Sequence, residues 1–299
     1  MTLAFQGDGV AAASIGRVTG SKPVVKLGTF FPGSAAPTLE ALEKIGKELG
    51  AQGYRCTNLL AANEYQLLAV DAPNVPAEEL KSAVRWRLKD MIDFHVDDAT
   101  IDVLSIPANP AARSASMFAV AARNSLVEQR QALFSDAKLP LSVIDIAEMA
   151  QRNIAALVEP EGRGIAMLSF GHDGGLLTVT YGGELYLSRR IDVSPAQMQE
   201  PDHDRKHATF DKITLELQRS LDHFDRQFHY ISVAKLLLAP APANGLEEYL
   251  SSNLYTPVDS LDLASVLDLD AVPALAEKSE QQRFFLALGA ALRLEETTL

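Results

Sequence analysis

The chain has little of what a nucleic-acid binder, a membrane-spanning protein or a disulfide-stapled domain requires. Basic residues are in deficit: 27 Lys and Arg stand against 39 Asp and Glu, a net charge of −12 with the histidines neutral. Neutralising phosphates takes clustered Lys and Arg in excess, so a general nucleic-acid binder is excluded. Long apolar runs are missing too. The longest, residues 284–292 (FFLALGAAL), is about half of the ~18 residues a spanning helix needs. The N-terminus has no basic segment ahead of an apolar stretch and does not read as a signal peptide. Cys56 is the only cysteine, which excludes an intramolecular disulfide and fits a reducing compartment. These absences predict a soluble, cytoplasmic protein. What is present, 47% hydrophobic and 22% charged residues, is ordinary globular composition. A length of 299 residues suits two domains or one large duplicated one, at ~100–200 residues per domain.

Two stretches read as meanders of short strands. The first covers 3–31, where LAFQ, VAAASIGRV and VVKLGTF are punctuated by Gly7-Asp8-Gly9 and Gly20-Ser21-Lys22-Pro23. The second covers 164–190, with GIAMLSF, GLLTVTY and ELYLSRRI separated by Gly171-His172-Asp173-Gly174-Gly175 and by Gly182-Gly183. Gly and Asp supply the positive φ angles of tight hairpins. Helical periodicity follows each meander. Leu39, Leu42, Ile45 and Leu49 mark 38–50, and Leu80, Val84, Leu88 and Met91 mark 76–92 behind Pro76, a favoured first-turn residue. Further helices fall at 124–137 and 146–158. Ile213, Leu217, Leu221, Phe224 and Phe228 make the strongest amphipathic helix. A buried-looking strand at 233–239, a helix near 244–252 and a last helix at 280–293 follow it. The polar stretch 192–210, with two prolines and little periodicity, reads as a flexible loop.

Each half therefore runs three strands, helix, strand, helix. That order predicts a duplicated α/β protein. Domain I covers 1–160 and carries an insertion at about 76–140; domain II covers 161–279; the closing helix within 280–299 packs back on domain I.

No single pattern carries strong catalytic or metal chemistry. His203 and His207 lie four apart in PDHDRKH, but there is no HExxH order and no third anchor, so a solvated loop is the better reading. His223 and His229 are six apart and do not share a helical face. No Gly-x-Ser-x-Gly elbow supports a hydrolase triad. Cys56 reads as a small apolar residue or a surface thiol, and Asp97-Asp98 as solubilising charge. Trp86 is more informative. The Leu80-to-Met91 stripe spans only about 80° of an ideal helix, and Trp86 lies roughly 160–240° from it. It packs either on the inserted subdomain's own strands or beside a groove that takes a partner peptide.

The meander–helix order, repeated twice with a small insertion in the first half, resembles the actin-like (ribonuclease H-like) ATPase fold. In detail the chain is similar to the PilM family of type IV pilus assembly proteins, on the side of its MSHA-pilus members. Four segments carry the resemblance in order: AVRWRLKDMIDFHVDDATIDVL at 83–104, LFSDAKLPLSVIDIAEMA at 133–150, the helix and strand of 213–239, and the closing helix ending in GAALR at 289–293. Secretion proteins of the GspL type share the fold. They continue into a spanning helix and a periplasmic part, so a chain stopping at Leu299 is expected to be the pilus protein.

The resemblance implies a nucleotide cleft between the halves, with Gly-bearing turns over the phosphates and Asp residues on magnesium. At the first turn the family's DIGSSSVKL pattern meets AFQGDGVAA. Ala4 replaces the Asp, Gln6 a glycine and Ala11 the lysine. At the second, Ser169-Phe170-Gly171 keeps only the glycine of Asp-x-Gly. The third, normally a Gly-Gly turn, becomes Leu238-Ala239-Pro240-Ala241-Pro242 before Gly245, and proline has no amide hydrogen. A glycine-rich loop after the second meander is shortened to Val193-Ser194-Pro195. The expectation is a degenerate site at Gly7, Asp8, Gly9, Gly171, Asp173, Gly174 and Gly245, no ATP hydrolysis, no cofactor and no metal. The alternative keeps these turns as a working phosphate cradle, with Asp8 or Asp173 recruited to magnesium, and makes the chain an ATPase or sugar-kinase-like phosphotransferase.

The resemblance also implies a partner. PilM-like proteins hold an extended N-terminal peptide of the inner-membrane protein PilN between domain I and its inserted subdomain. The matching neighbourhood here is Arg85, Trp86, Ile92, Phe94 and Val96. The expected partner is a PilN-like (MshJ-like) membrane protein, with the pilus assembly ATPase as a second. The net acidity disfavours direct attachment to anionic lipid, so recruitment to the inner membrane falls to that protein.

Overall fold

A computed structural model of the chain describes residues 1–107, 115–241 and 244–294. The chain opens with β1 (Thr2–Gln6), β2 (Gly9–Gly16) and β3 (Val24–Pro32). Next come α1 (Leu39–Leu49), β4 (Cys56–Leu59), β5 (Tyr65–Asp71), α2 (Leu80–Leu88), β6 (Ala99–Ser105) and β7 (Ser116–Arg123). α3 (Asn124–Asp136), β8 (Leu141–Asp145) and α4 (Ala147–Ala155) lead into β9 (Gly164–Gly171), β10 (Gly174–Tyr181) and β11 (Glu184–Ile191). The last elements are α5 (Pro195–Met198), α6 (His203–Gln227), β12 (Val233–Leu238), α7 (Leu246–Asn253), β13 (Val258–Ser260) and α8 (Lys278–Ala291).

Two compact units share these elements. Met1–Pro37, Thr57–Leu59 and Asp145–Leu299 form the larger, and Thr38–Cys56 with Leu60–Ile144 the smaller. The larger unit holds two sheets of one design. The first runs β3-β2-β1-β4-β8, β8 entering the unit at its last residue, Asp145; the second runs β11-β10-β9-β12-β13. In each, three antiparallel strands come first and the next strand adds parallel to the first: Leu3 faces Asn58 across β1 and β4, and Met167 faces Leu237 across β9 and β12. Their apolar faces merge in a cluster with Ala4, Ala11, Val25, Met167, Leu237, Phe284, Phe285 and Leu288. α8 lies against α4, β1 and β2. Its approach to α4 demands Gly289, where an added Cβ would stand 2.2 Å from the Ala150 carbonyl oxygen.

The smaller unit has a three-stranded antiparallel sheet, β5-β7-β6, with Leu68 facing Ala119 and Ile101 facing Ala121 across the central β7. α2 contributes Val84 and Leu88 to a core with Val70, Ile92, Val96, Ile101, Met117 and Ala119. α1 begins at an N-cap, Thr38, whose hydroxyl accepts from the Ala41 amide at 3.2 Å, and ends at Gly50 with φ 59°.

Three local expectations need correction. The stretch 192–210 is not a loop: Ser194 and Gln197 form a capping box around α5, and Asp202 caps α6, which starts at His203. α6 closes at Gln227, so His229 lies beyond it. α2 stops at Leu88 after a separate 3-10 turn at Ala77–Glu79, which leaves Met91 off the helix and exposed.

Candidate functional site

The tips of two hairpins meet in the larger unit. In the β1–β2 turn, Gly9 has φ 149° and an added Cβ would lie 2.1 Å from the Phe31 carbonyl oxygen, so only glycine fits. In the β9–β10 turn, Gly174 has φ 96°, and its would-be Cβ stands 2.9 Å from the Ile191 oxygen. Asp8 of the first turn faces His172 of the second, Oδ1 to Nε2 3.6 Å, and Gly7 abuts the same imidazole. Gly7, Asp8, Gly9, Gly171, Asp173 and Gly174 therefore belong to two adjoining turns. Gly245 sits apart from both tips in the chain, opening α7 with φ 87°.

α8 reaches into this meeting point. The Arg283 Nη1 lies 2.9 Å from Asp8 Oδ2, and its guanidinium rests 4.0 Å from the centre of the Phe30 ring. Gln6 Nε2 donates to the Arg283 carbonyl at 2.8 Å, and Gln282 Nε2 donates to the Phe170 carbonyl at 3.2 Å. Burial alone would raise the Asp8 pKa. The hydrogen bond and charge of Arg283, helped by its own backbone amide and His172, outweigh burial and hold the carboxyl below its ordinary value.

The positions where the resemblance put charge are apolar or internally satisfied. Ala4 and Ala11 face each other across β1 and β2, at 4% and 0% exposure. Ser169 is buried and donates to Gln151 Oε1 at 2.5 Å. The Gln151 amide in turn donates to the Met167 carbonyl at 2.8 Å and the Thr178 hydroxyl at 2.9 Å. Pro240 is buried beside Ala239, whose amide bonds the Leu168 carbonyl; Pro242 lies outside the described residues. Among the described residues no group of three or more His, Cys, Asp or Glu side chains could hold a metal ion. His203 and His207 stack at 4.1 Å on the first turns of α6, and His207 meets the Tyr249 ring edge-on. Cys56 is fully buried, which pushes its thiol pKa up.

The nominated peptide residues lie in the smaller unit. Trp86 is 74% exposed on α2. Arg85 points the other way: Nη1 donates to the Val96 carbonyl at 2.5 Å and Nη2 to the Ala99 carbonyl at 3.0 Å, tying α2 to the chain after it. Ile92 and Val96 are buried in the core of this unit. Phe94 is half-buried under the Arg123 guanidinium, 4.4 Å from its ring centre. Three of the five thus shape the segment from within, and Trp86 and Phe94 present surface.

Sequence reasoning missed Arg283, Gln282 and His172. A cation beside the Phe284-Phe285 pair of the closing helix was the available signal. It also missed the buried Asp145 and its partner Arg293, 3.1 Å away and exposed, where burial raises the Asp145 pKa against the pull of Arg293.

A family model described as type IV pilus assembly protein PilM matches residues 40–192. The chain belongs to the PilM family. Among solved structures, this PilM-family chain is similar to a chain of a PilM–PilN type IV pilus biogenesis complex. The two share 20% identity over 97% of each chain, with a TM-score of 0.75. A protein of Bacteroides thetaiotaomicron with an actin-like ATPase fold and unknown function aligns at 10% identity, covering 92% of this chain and 95% of that one, with a TM-score of 0.51. The cytoplasmic domain of EpsL, an inner-membrane component of the Vibrio cholerae type II secretion system, aligns at 16% identity over 67% and 74%, with a TM-score of 0.44, too loose to carry an argument. No curated protein matches the sequence. The fold is therefore actin-like α/β, and among the described residues no helix is long and apolar enough to cross a membrane.

Proposed function

We propose that this PilM-family chain is a cytoplasmic scaffold of a type IV pilus platform at the inner membrane, and that it holds the N-terminal cytoplasmic peptide of a PilN-like membrane protein. Family membership and the end-to-end likeness to a chain of a PilM–PilN complex support this reading. Within the family we assign it to the MSHA-pilus branch, as a protein of the MshI kind with an MshJ-like partner and a link to the pilus assembly ATPase. Attachment to the membrane then runs through the partner peptide. Trp86, exposed and flanked by the segment carrying Phe94, is the anchor we assign to it, because a desolvated indole is the commonest source of concentrated binding energy.

The same reading makes the protein a scaffold that neither needs nor turns over ATP. One observation carries this: Ala4 and Ala11, at the positions expected to bear Asp and Lys, are a buried facing pair inside the apolar cluster under α8. A triphosphate there would meet no compensating lysine and no metal carboxylate. The retained glycines of both turns favour the rival reading, a working ATPase, which predicts a magnesium-dependent thermal shift with ATP.

The protein carries its own reporter, since Trp86 is its single tryptophan. Titrating the purified chain with the cytoplasmic peptide of the neighbouring PilN-like protein should shift Trp86 emission to the blue and saturate. An emission spectrum unmoved by peptide, with stabilisation by magnesium-ATP, overturns the proposal.

A further inference from the structure

The β1–β2 and β9–β10 turns terminate different sheets, and among the described residues no shared strand ladder joins them. In an actin-like fold such tips can be held together by a ligand that both turns grip. Here two consecutive residues of α8 perform the gripping. Gln282 donates its side-chain amide to the Phe170 carbonyl at the end of β9. Arg283, the next residue and so about 100° around the helix, pairs with Asp8 and accepts from Gln6 through its own carbonyl. Asp8 touches the opposite tip as well, through His172. Two carboxylates, Asp8 and Glu280 (3.9 Å from the Arg283 Nε), flank one guanidinium that also stacks on Phe30. The depressed Asp8 pKa agrees with a carboxylate held by this guanidinium.

We propose that Gln282 and Arg283 are a built-in clasp by which the closing helix holds the two hairpin tips together. The clasp lies wholly in the larger unit and is independent of what the smaller unit binds. It ties both tips to the protein's own closing helix, so the spacing of the two tips depends on side chains of α8.

Amide hydrogen exchange on the full-length, nucleotide-free protein tests it, using Asp8→Asn, which preserves side-chain size, and Arg283→Gln, which removes the guanidinium. Each substitution should speed exchange about three- to fivefold in residues 6–10 and also in 170–175, the range expected for a half-exposed pair. Exchange in the β5-β7-β6 sheet should stay as it was. The double variant should exchange more slowly than the two single effects multiplied would give, because the Asp8–Arg283 contact is common to both. Acceleration confined to 6–10, or single effects that multiply in full in the double variant, overturns the clasp.

Discussion

Two regions of this molecule carry candidate binding surfaces, and they are built in opposite ways. At the hairpin tips nearly every polar group named above has a partner inside the protein: Asp8 with Arg283, Ser169 with Gln151, Gln282 with the Phe170 carbonyl. Beneath them Ala4 and Ala11 are sealed in the core. On α2 the arrangement is reversed. Arg85, Ile92 and Val96 complete the fold from inside, and a large aromatic, Trp86, is left facing solvent. Internally saturated polar groups offer a ligand little, because binding must first break what exists. An exposed indole offers apolar area that gains by being covered. The difference is the basis of the proposed reading, in which recognition resides in the small unit and the hairpin tips serve architecture.

The most severe way to break the comparison is to unseat α8. Phe284 is fully packed in the cluster beneath the tips, and Phe284→Ala should cost about 3–5 kcal/mol in urea denaturation. A loss below about 1 kcal/mol would mean that α8 is not the closing element. Trp86→Ala should weaken peptide binding by about 2 kcal/mol, roughly thirtyfold. Its stability should move by no more than about 0.5 kcal/mol. Arg85→Ala should do the converse, lowering stability by about 1–2 kcal/mol because the Val96 and Ala99 carbonyls lose their donor. An Arg85→Ala protein that melts normally yet binds no peptide would move Arg85 into the contact surface.

The finest effect distinguishes two acids, one held by Arg283 of α8 and the other by Arg293, two residues past its end. Asp8 has a lowered pKa, so its contribution to stability is present above the unfolded value of 3.8 and is lost as pH falls through the lower folded value. Asp145 is shifted upward by burial, so its contribution favours the fold below 3.8 and fades as pH rises through the raised value. Urea midpoints followed against pH should therefore change slope in opposite senses for Asp8→Asn and Asp145→Asn. The Asp8 effect stays below about 1 kcal/mol, since that pair is half exposed. Parallel slopes would contradict the assignment.

Much of the architecture was legible because its signals are local. Glycine-punctuated meanders marked β1 to β3 and β9 to β11, and apolar periodicity marked α6 and α8. β5 went unread: its Leu-Leu-Ala-Val run does not alternate, and its partner strand β7 lies about fifty residues away. The start of α6 was read as a loop because caps, not apolar spacing, define it; the first fully buried side chain is Phe210. At the tips the glycines announced themselves, whereas Arg283 did not, since it meets Asp8 across 275 positions of sequence. Trp86 stood out for a simple geometric reason. It lies off the buried stripe of α2, and the structure leaves it exposed.

The most direct measurement is a pair of calorimetric titrations on the same preparation, one with magnesium-ATP and one with the PilN-like cytoplasmic peptide. The account predicts saturable heat from the peptide, abolished in Trp86→Ala, and none from magnesium-ATP up to millimolar concentration. Saturable, magnesium-dependent heat from ATP, with a silent peptide, would contradict it.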